Sequence, residues 1–201
     1  MQCWRPERGE PCPTVPAGQK LIALTFDDGP RRSTTTRLLD GLSERGVKAT
    51  FFLIGAQIEN NGDVVRRMDE EGHQIGIHTF DHVKLTDLSR TDFDAQVETT
   101  RALLKSTLGH NDFLLRPPYG MLARECKGLG GLPHHPVVPS TRGLAGSEHR
   151  PGGAGGGGRG QRRRKYPDAR HLPPSRWEPA LQIVDQLHQQ GYLFSRWTTL
   201  C

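Results

Sequence analysis

Three short clusters of residues carry the types and spacing that chemistry needs. TFDDGP (Thr25 to Pro30) sets two adjacent carboxylates, Asp27 and Asp28, at the end of an apolar run. Neighbouring side chains in a strand point to opposite faces, but a turn can bring both into one pocket with different roles. HTFDH places His78 and His82 four residues apart. If that segment turns helically, both imidazoles share a face, a frequent metal-ligand spacing. RPPYG puts Arg116 on a stiff Pro-Pro loop, with Tyr119 just behind it. Two histidines and one aspartate make a three-ligand zinc site with positions open to water, the arrangement of a catalytic metal. Each cluster alone has a bland reading: a turn, a pair of surface histidines, a polyproline loop. Together, after three separate strands, they point at one rim.

The elements that must position them alternate in type. Gln19 to Phe26 and Ala49 to Gly55 are apolar runs of strand length, and His73 to His78 and Phe113 to Gly120 read as two more strands. Between them, Thr34 to Gly46, Asp63 to Gly72 and Ser89 to Leu108 repeat apolar residues at helical spacing. The first two close on Gly, and Asp63 is the expected cap of the second. Pro179 to Gly191 reads as a further helix, and Tyr192 to Phe194 as a last strand. Strand–helix alternation is the sign of an α/β fold with parallel strands, and such folds place active sites at the carboxyl ends of those strands.

TFDDGP, HTFDH and RPPYG, in this order and spacing, resemble the first three motifs of the polysaccharide deacetylase family (carbohydrate esterase family 4). The resemblance covers Lys20 to Gly120 and extends to Pro179 to Phe194. It implies a distorted (β/α) barrel over residues 19–201, while residues 1–18, rich in Pro and Gly, read as a linker or tail. It also implies a hydrolase that removes N-acetyl or O-acetyl groups from a polysaccharide such as peptidoglycan, chitin or xylan, outside the cytoplasm or in the cell envelope. By the same resemblance Asp27 is the general base, and Asp28, His78 and His82 hold a divalent metal, zinc or alternatively cobalt. Thr79 and Pro117 support these loops. Arg116 pairs with Asp27, an opposite charge that favours the carboxylate, and the Tyr119 N–H helps hold the oxyanion.

The leaving amine must be protonated as it departs. In the family a histidine of a late L-x-H-D type motif does this, supported by an earlier D-x-x-D-W type motif. Neither is present. Where they are due, residues 122–178 carry 12 of the 24 glycines and 7 of the 15 prolines. No apolar face runs through them for either period. The stretch reads as an out-of-frame translation. Gly143 to Arg150 can be encoded GGA CTG GCG GGA TCG GAA CAC CGG, which one base later spells DWRDRNT. At the same offset His134 to Val138 can give IIQWS, and Arg164 to Leu172 can give GSIQMHDIY, which contains the missing HD. No codons for Pro139-Ser140-Thr141 restore the first Asp of the earlier motif. The rival reading is a genuine Gly/Arg-rich insertion.

Composition agrees with this division. The chain has 201 residues, enough for one domain, and a net charge of +5 with a pI near 9.3. At face value that balance suggests a nucleic-acid binder. Residues 122–178 hold 11 Lys/Arg against 4 Asp/Glu, and the rest hold 16 against 18, a sum of −2. The basic excess thus lies outside the segments that carry chemistry, and nucleic acid is not the expected partner. That rival function rests on the tract GGGGRGQRRRK alone, and a third reading is a glycan-binding pseudoenzyme. No run of ~18 apolar residues predicts a membrane span. Cys3, Cys12, Cys126 and Cys201 form no C-x-x-C pair, which speaks against a zinc ribbon or a disulfide scaffold. The first residues lack the apolar core of a signal peptide, so the chain is either cytosolic or begins downstream of its true start. Composition leaves the oligomeric state open.

Overall fold

The computed structural model describes residues 20–120 and 177–196. The tail over 1–18, the four cysteines and nearly all of the 122–178 stretch lie outside the described residues.

The first apolar run forms two strands. β1 (Lys20–Ala23) and β2 (Thr25–Gly29) are separated by Leu24, a buried residue whose carbonyl accepts the Thr50 N–H at 2.9 Å. β1 pairs in parallel with β6 (Tyr192–Ser195), whereas β2 opens a four-stranded parallel sheet that continues in chain order. In that sheet β3 (Thr50–Leu53) and β4 (Gln74–Ile77) are central, and β5 (Leu114–Leu115) is short. Every residue of β3 is buried, as its mostly apolar run predicts for a strand covered on both faces. The class is α/β with parallel strands, as expected; among the described residues the strands form two sheets.

Helices fill the crossovers. They are α1 (Arg32–Glu44), α2 (Gly55–Ile58), α3 (Gly62–Glu70), α4 (Arg90–Leu108) and α5 (Trp177–Gln189). The short α2 and the 3-10 turn that follows it carry too few residues to show a period in sequence. α3 therefore begins at Gly62, directly out of that turn, and Asp63 is not its cap. Asp63 sits in the first helical turn and takes a forked pair of hydrogen bonds from Arg32, one at 2.6 Å. α4 has a true cap at each end. The Ser89 hydroxyl accepts the Asp92 N–H, and Gly109 closes the helix in the left-handed region at φ 79°.

One core joins the sheet to the helices through Leu39, Leu42, Leu53, Ile58, Met68, Ile77, Leu104 and Phe113. Burying each such side chain contributes about 1.5–3 kcal/mol. α5 docks on α1 by shape. A Cβ on Gly41 would stand 2.0 Å from Leu181 Cδ1, so only glycine leaves the notch that Leu181 fills. Arg45 adds a fork to Asp185 at 2.7 and 3.0 Å. The helix starts two residues earlier than the periodicity suggests, at Trp177, which packs partly on the core. Pro179 fits in its first turn, where a missing N–H costs nothing. No helix among the described residues is long and apolar enough to cross a membrane.

Candidate metal centre

The two adjacent aspartates reach one rim because β2 holds an extra residue. Thr25 and Phe26 pair with Thr50 and Phe51, yet Gly29 pairs with Leu53, so the register slips by one between Phe26 and Gly29. This bulge breaks the strict alternation of faces. Asp28 takes it up in the left-handed region, at φ 66°.

His78 is the first residue beyond β4, and its N–H donates to the Leu53 carbonyl at 2.8 Å. Its Nδ1 donates to the Arg116 carbonyl at 2.7 Å, so the neutral ring turns a bare Nε2 toward Asp28. Burial pushes the His78 pKa down; nearby Asp27, the bond to the Arg116 carbonyl and Asp28 oppose that shift. The ring is thus neutral at pH 7, the form that ligates a metal. His82 does not arrive by a helical turn. Thr79 at φ 64° and His82 at φ 58° reverse the chain instead, and the two imidazole centroids end 5.0 Å apart. Asp28 Oδ1 lies 3.1 Å from His82 Nε2 and 3.5 Å from His78 Nε2.

Arg116 stands just past β5, and its N–H donates to the Ile77 carbonyl at 2.9 Å. From there its Nη1 donates to Asp27 Oδ1 at 2.7 Å and to Thr25 Oγ1 at 3.0 Å. The guanidinium lies 3.9 Å above the Phe52 ring, within cation–π range. Phe52 occupies the space left by Gly76, where a Cβ would meet the ring at 2.6 Å and the Leu114 carbonyl at 2.9 Å. Pro117 is buried beneath the turn that carries Tyr119. Tyr119 is half exposed at φ 62°, with its ring 5.0 Å from that of His82.

Thr79 is fully buried, and its hydroxyl has no hydrogen-bond partner among the described residues. It joins the surroundings through its backbone carbonyl, which accepts the Gly55 N–H at 3.0 Å. Nothing in the sequence marks Phe52, or Gln96, whose Oε1 accepts the Phe80 N–H at 2.9 Å, as residues of this rim. An aromatic in an apolar strand and a glutamine in a helix look the same wherever they point. Among the described residues the non-glycine positions with positive φ are Asp28, Thr79, His82 and Tyr119, all at this rim. Such conformations cost about 1–3 kcal/mol each and persist where surrounding structure enforces them.

The donor set suits a divalent cation. The ligand atoms of Asp28, His78 and His82 lie within 4.8 Å of one another. Donors about 2.1 Å from one tetrahedral ion stand about 3.4 Å apart, which matches the two aspartate–histidine separations. A carbonyl-anchored imidazole beside a carboxylate is also the outer-shell arrangement that orients metal-binding histidines.

Residues 14–129 match the family model described as polysaccharide deacetylase. The chain belongs to the polysaccharide deacetylase family. It is 42% identical over 123 residues to the peptidoglycan-N-acetylglucosamine deacetylase PgdA of Listeria monocytogenes, covering 60% of this chain and 26% of that protein. It is 45% identical over 128 residues to a chitin deacetylase of a Pestalotiopsis species, covering 62% of this chain and 42% of that one. It therefore spans less than half the length of either relative. Among solved structures, a variant of peptidoglycan deacetylase PdaC from Bacillus subtilis superposes with a TM-score of 0.70 at 26% identity, covering 92% of each chain. The chitin deacetylase of Colletotrichum lindemuthianum gives 0.54 at 39% identity, over 59% of this chain and 55% of that one.

Proposed function

We propose that this polysaccharide deacetylase-family chain is a metal-dependent hydrolase that removes N-acetyl, or O-acetyl, groups from a polysaccharide such as peptidoglycan or chitin. Its place would then be the cell envelope or the exterior, where those polymers lie. The observation that carries the reading is the pairing of Asp27 with Arg116 at 2.7 Å directly beside the Asp28–His78–His82 cluster.

Zinc is the proposed ion, with cobalt as a substitute the same donors accept. Bound by Asp28, His78 and His82, it would supply Lewis-acid activation of water and of the acyl carbonyl. Asp27 takes the proton from the attacking water at Oδ2, because Arg116 engages Oδ1. Arg116 keeps that carboxylate aimed, and is itself held over the Phe52 ring. The Tyr119 N–H, on the left-handed turn above His82, donates to the developing oxyanion. Thr79 and Pro117 hold the two loops.

The acid step has no residue in a matching motif of this sequence, in keeping with an out-of-frame stretch over 122–178. Substrates should sort by leaving group as a result. An N-acetylated chito-oligosaccharide, whose amine must be protonated, is turned over weakly. An aryl acetate such as p-nitrophenyl acetate needs no acid and is turned over better. Both activities vanish on chelation and fall about 10²–10⁴-fold in Asp27→Asn, the usual worth of a general base. Acetate release indifferent to both changes would overturn the reading. Oligosaccharide turnover equal to that of a full-length relative would remove the impairment, and resequencing the codons between Tyr119 and Pro179 tests its cause directly.

A further inference from the structure

The loop from Thr79 to His82 cannot hold its own shape. Two of its four residues sit in the left-handed region, and it contains no glycine. On one side the Gly55 and Ala56 N–H groups donate to the Thr79 and Phe80 carbonyls, each at 3.0 Å. On the other side one side chain from α4 reaches in. Gln96 Oε1 accepts both the Phe80 N–H and the Asp81 N–H at 2.9 Å, and its Nε2 donates to Asp81 Oδ2 at 2.9 Å. The carbonyl of Gln96 in turn accepts the buried Thr100 hydroxyl at 3.0 Å. Three polar atoms of residues 80 and 81 thus end on one amide.

We propose that Gln96 is a positioning residue of the metal centre. It fixes the two residues that precede His82 and so holds His82 Nε2 beside Asp28 Oδ1. This rests on reading Asp28, His78 and His82 as the metal site. Gln96 touches neither the ion nor substrate, so its effect should appear in affinity and ligand geometry rather than in the fold. The bond pattern can also be inverted. In the double variant Asp81→Asn with Gln96→Glu, the carboxylate now on α4 accepts both N–H groups, and the new amide on the loop donates back to it.

The test is zinc titration of the full chain against a chromophoric chelator, together with the visible spectrum of the cobalt-loaded protein. Gln96→Met keeps the length and helix propensity of the side chain. It should weaken zinc binding about 10–100-fold, the usual effect of losing an outer-shell partner, and alter the cobalt bands. The unfolding midpoint of the zinc-free chain should fall only slightly, because the freed Phe80 and Asp81 N–H groups are part-buried and exposed and can turn to water. The inverted double variant should recover most of the lost affinity, while Gln96→Glu alone, facing Asp81, should not. Wild-type zinc affinity and an unchanged cobalt spectrum in Gln96→Met would overturn the proposal. So would a loss of affinity that only tracks a loss of zinc-free stability. If the wild-type chain itself binds no zinc, the metal reading falls and this one with it, a result distinct from a failure confined to Gln96.

Discussion

β4 carries a histidine at each end, and the two do opposite things. His73 precedes the strand and His78 follows it; each is only 3% exposed, and burial lowers the pKa of both. They differ in the backbone group that meets Nδ1. His73 Nδ1 accepts the Ala49 N–H at 3.0 Å, so its proton sits on Nε2, which points toward Glu71 at 3.5 Å. His78 Nδ1 donates to a carbonyl, so its Nε2 is bare and faces Asp28. One ring stitches the start of β4 to the residue before β3. The other presents a lone pair at the carboxyl ends of the strands. Residue type and burial are the same, and the tautomer that each end of a parallel sheet imposes decides the chemistry.

The largest test of that contrast is ligand loss. His78→Ala should weaken zinc binding by more than about 100-fold, beyond the range for outer-shell changes, whereas His73→Ala should bind zinc as wild type does. Calorimetric titration of the two variants side by side decides it. Equal losses would mean that the ends of the strand are not separate in function.

A smaller effect separates them in stability. His73→Ala leaves the Ala49 N–H buried without its acceptor, and an orphaned donor costs about 1–3 kcal/mol. Urea unfolding of the zinc-free variant should show that loss. An unchanged midpoint would mean that water or a shifted backbone satisfies Ala49 and that the stitch is dispensable.

Much of this rim is legible in the sequence. TFDDGP, HTFDH and RPPYG announce themselves because acidic, imidazole and guanidinium groups rarely cluster after apolar runs, and the alternation of strand and helix places those runs in one sheet. Hidden from the sequence were the features that pairing and packing decide. Nothing in LIALTF marks Leu24 as the point where one strand leaves for β6 and another begins. The left-handed backbone at Asp28 goes with the bulge in β2, and that at Thr79 and His82 with the contacts that α2 and Gln96 make to the loop between them. Asp63 reads as a cap because the sequence cannot show that Arg32, thirty-one residues away, claims its carboxylate.

The smallest expected effect, and the most direct probe of the buried rings, is the acid slope of stability. Burial first, then Lys48, lower the His73 pKa from an ordinary 6.5 to about 4, against the pull of Glu71. The unfolded chain therefore takes up the proton before the folded one does. The contribution of His73 is complete above pH 6.5 and drains away as pH falls toward 4. Between pH 7 and 5.5 this amounts to about 1 kcal/mol. His78 shifts in the same direction, so some slope must remain when His73 is removed. Asp63, held by Arg32 at about 2, loses its contribution only below pH 4 and stays out of this window. Urea unfolding of the zinc-free chain at several pH values should give a shallower slope for His73→Ala than for wild type. Identical slopes would show that a proton reaches His73 in the folded state, and that the neutral ring bonded to Ala49 is not what ties β4 to the residue before β3.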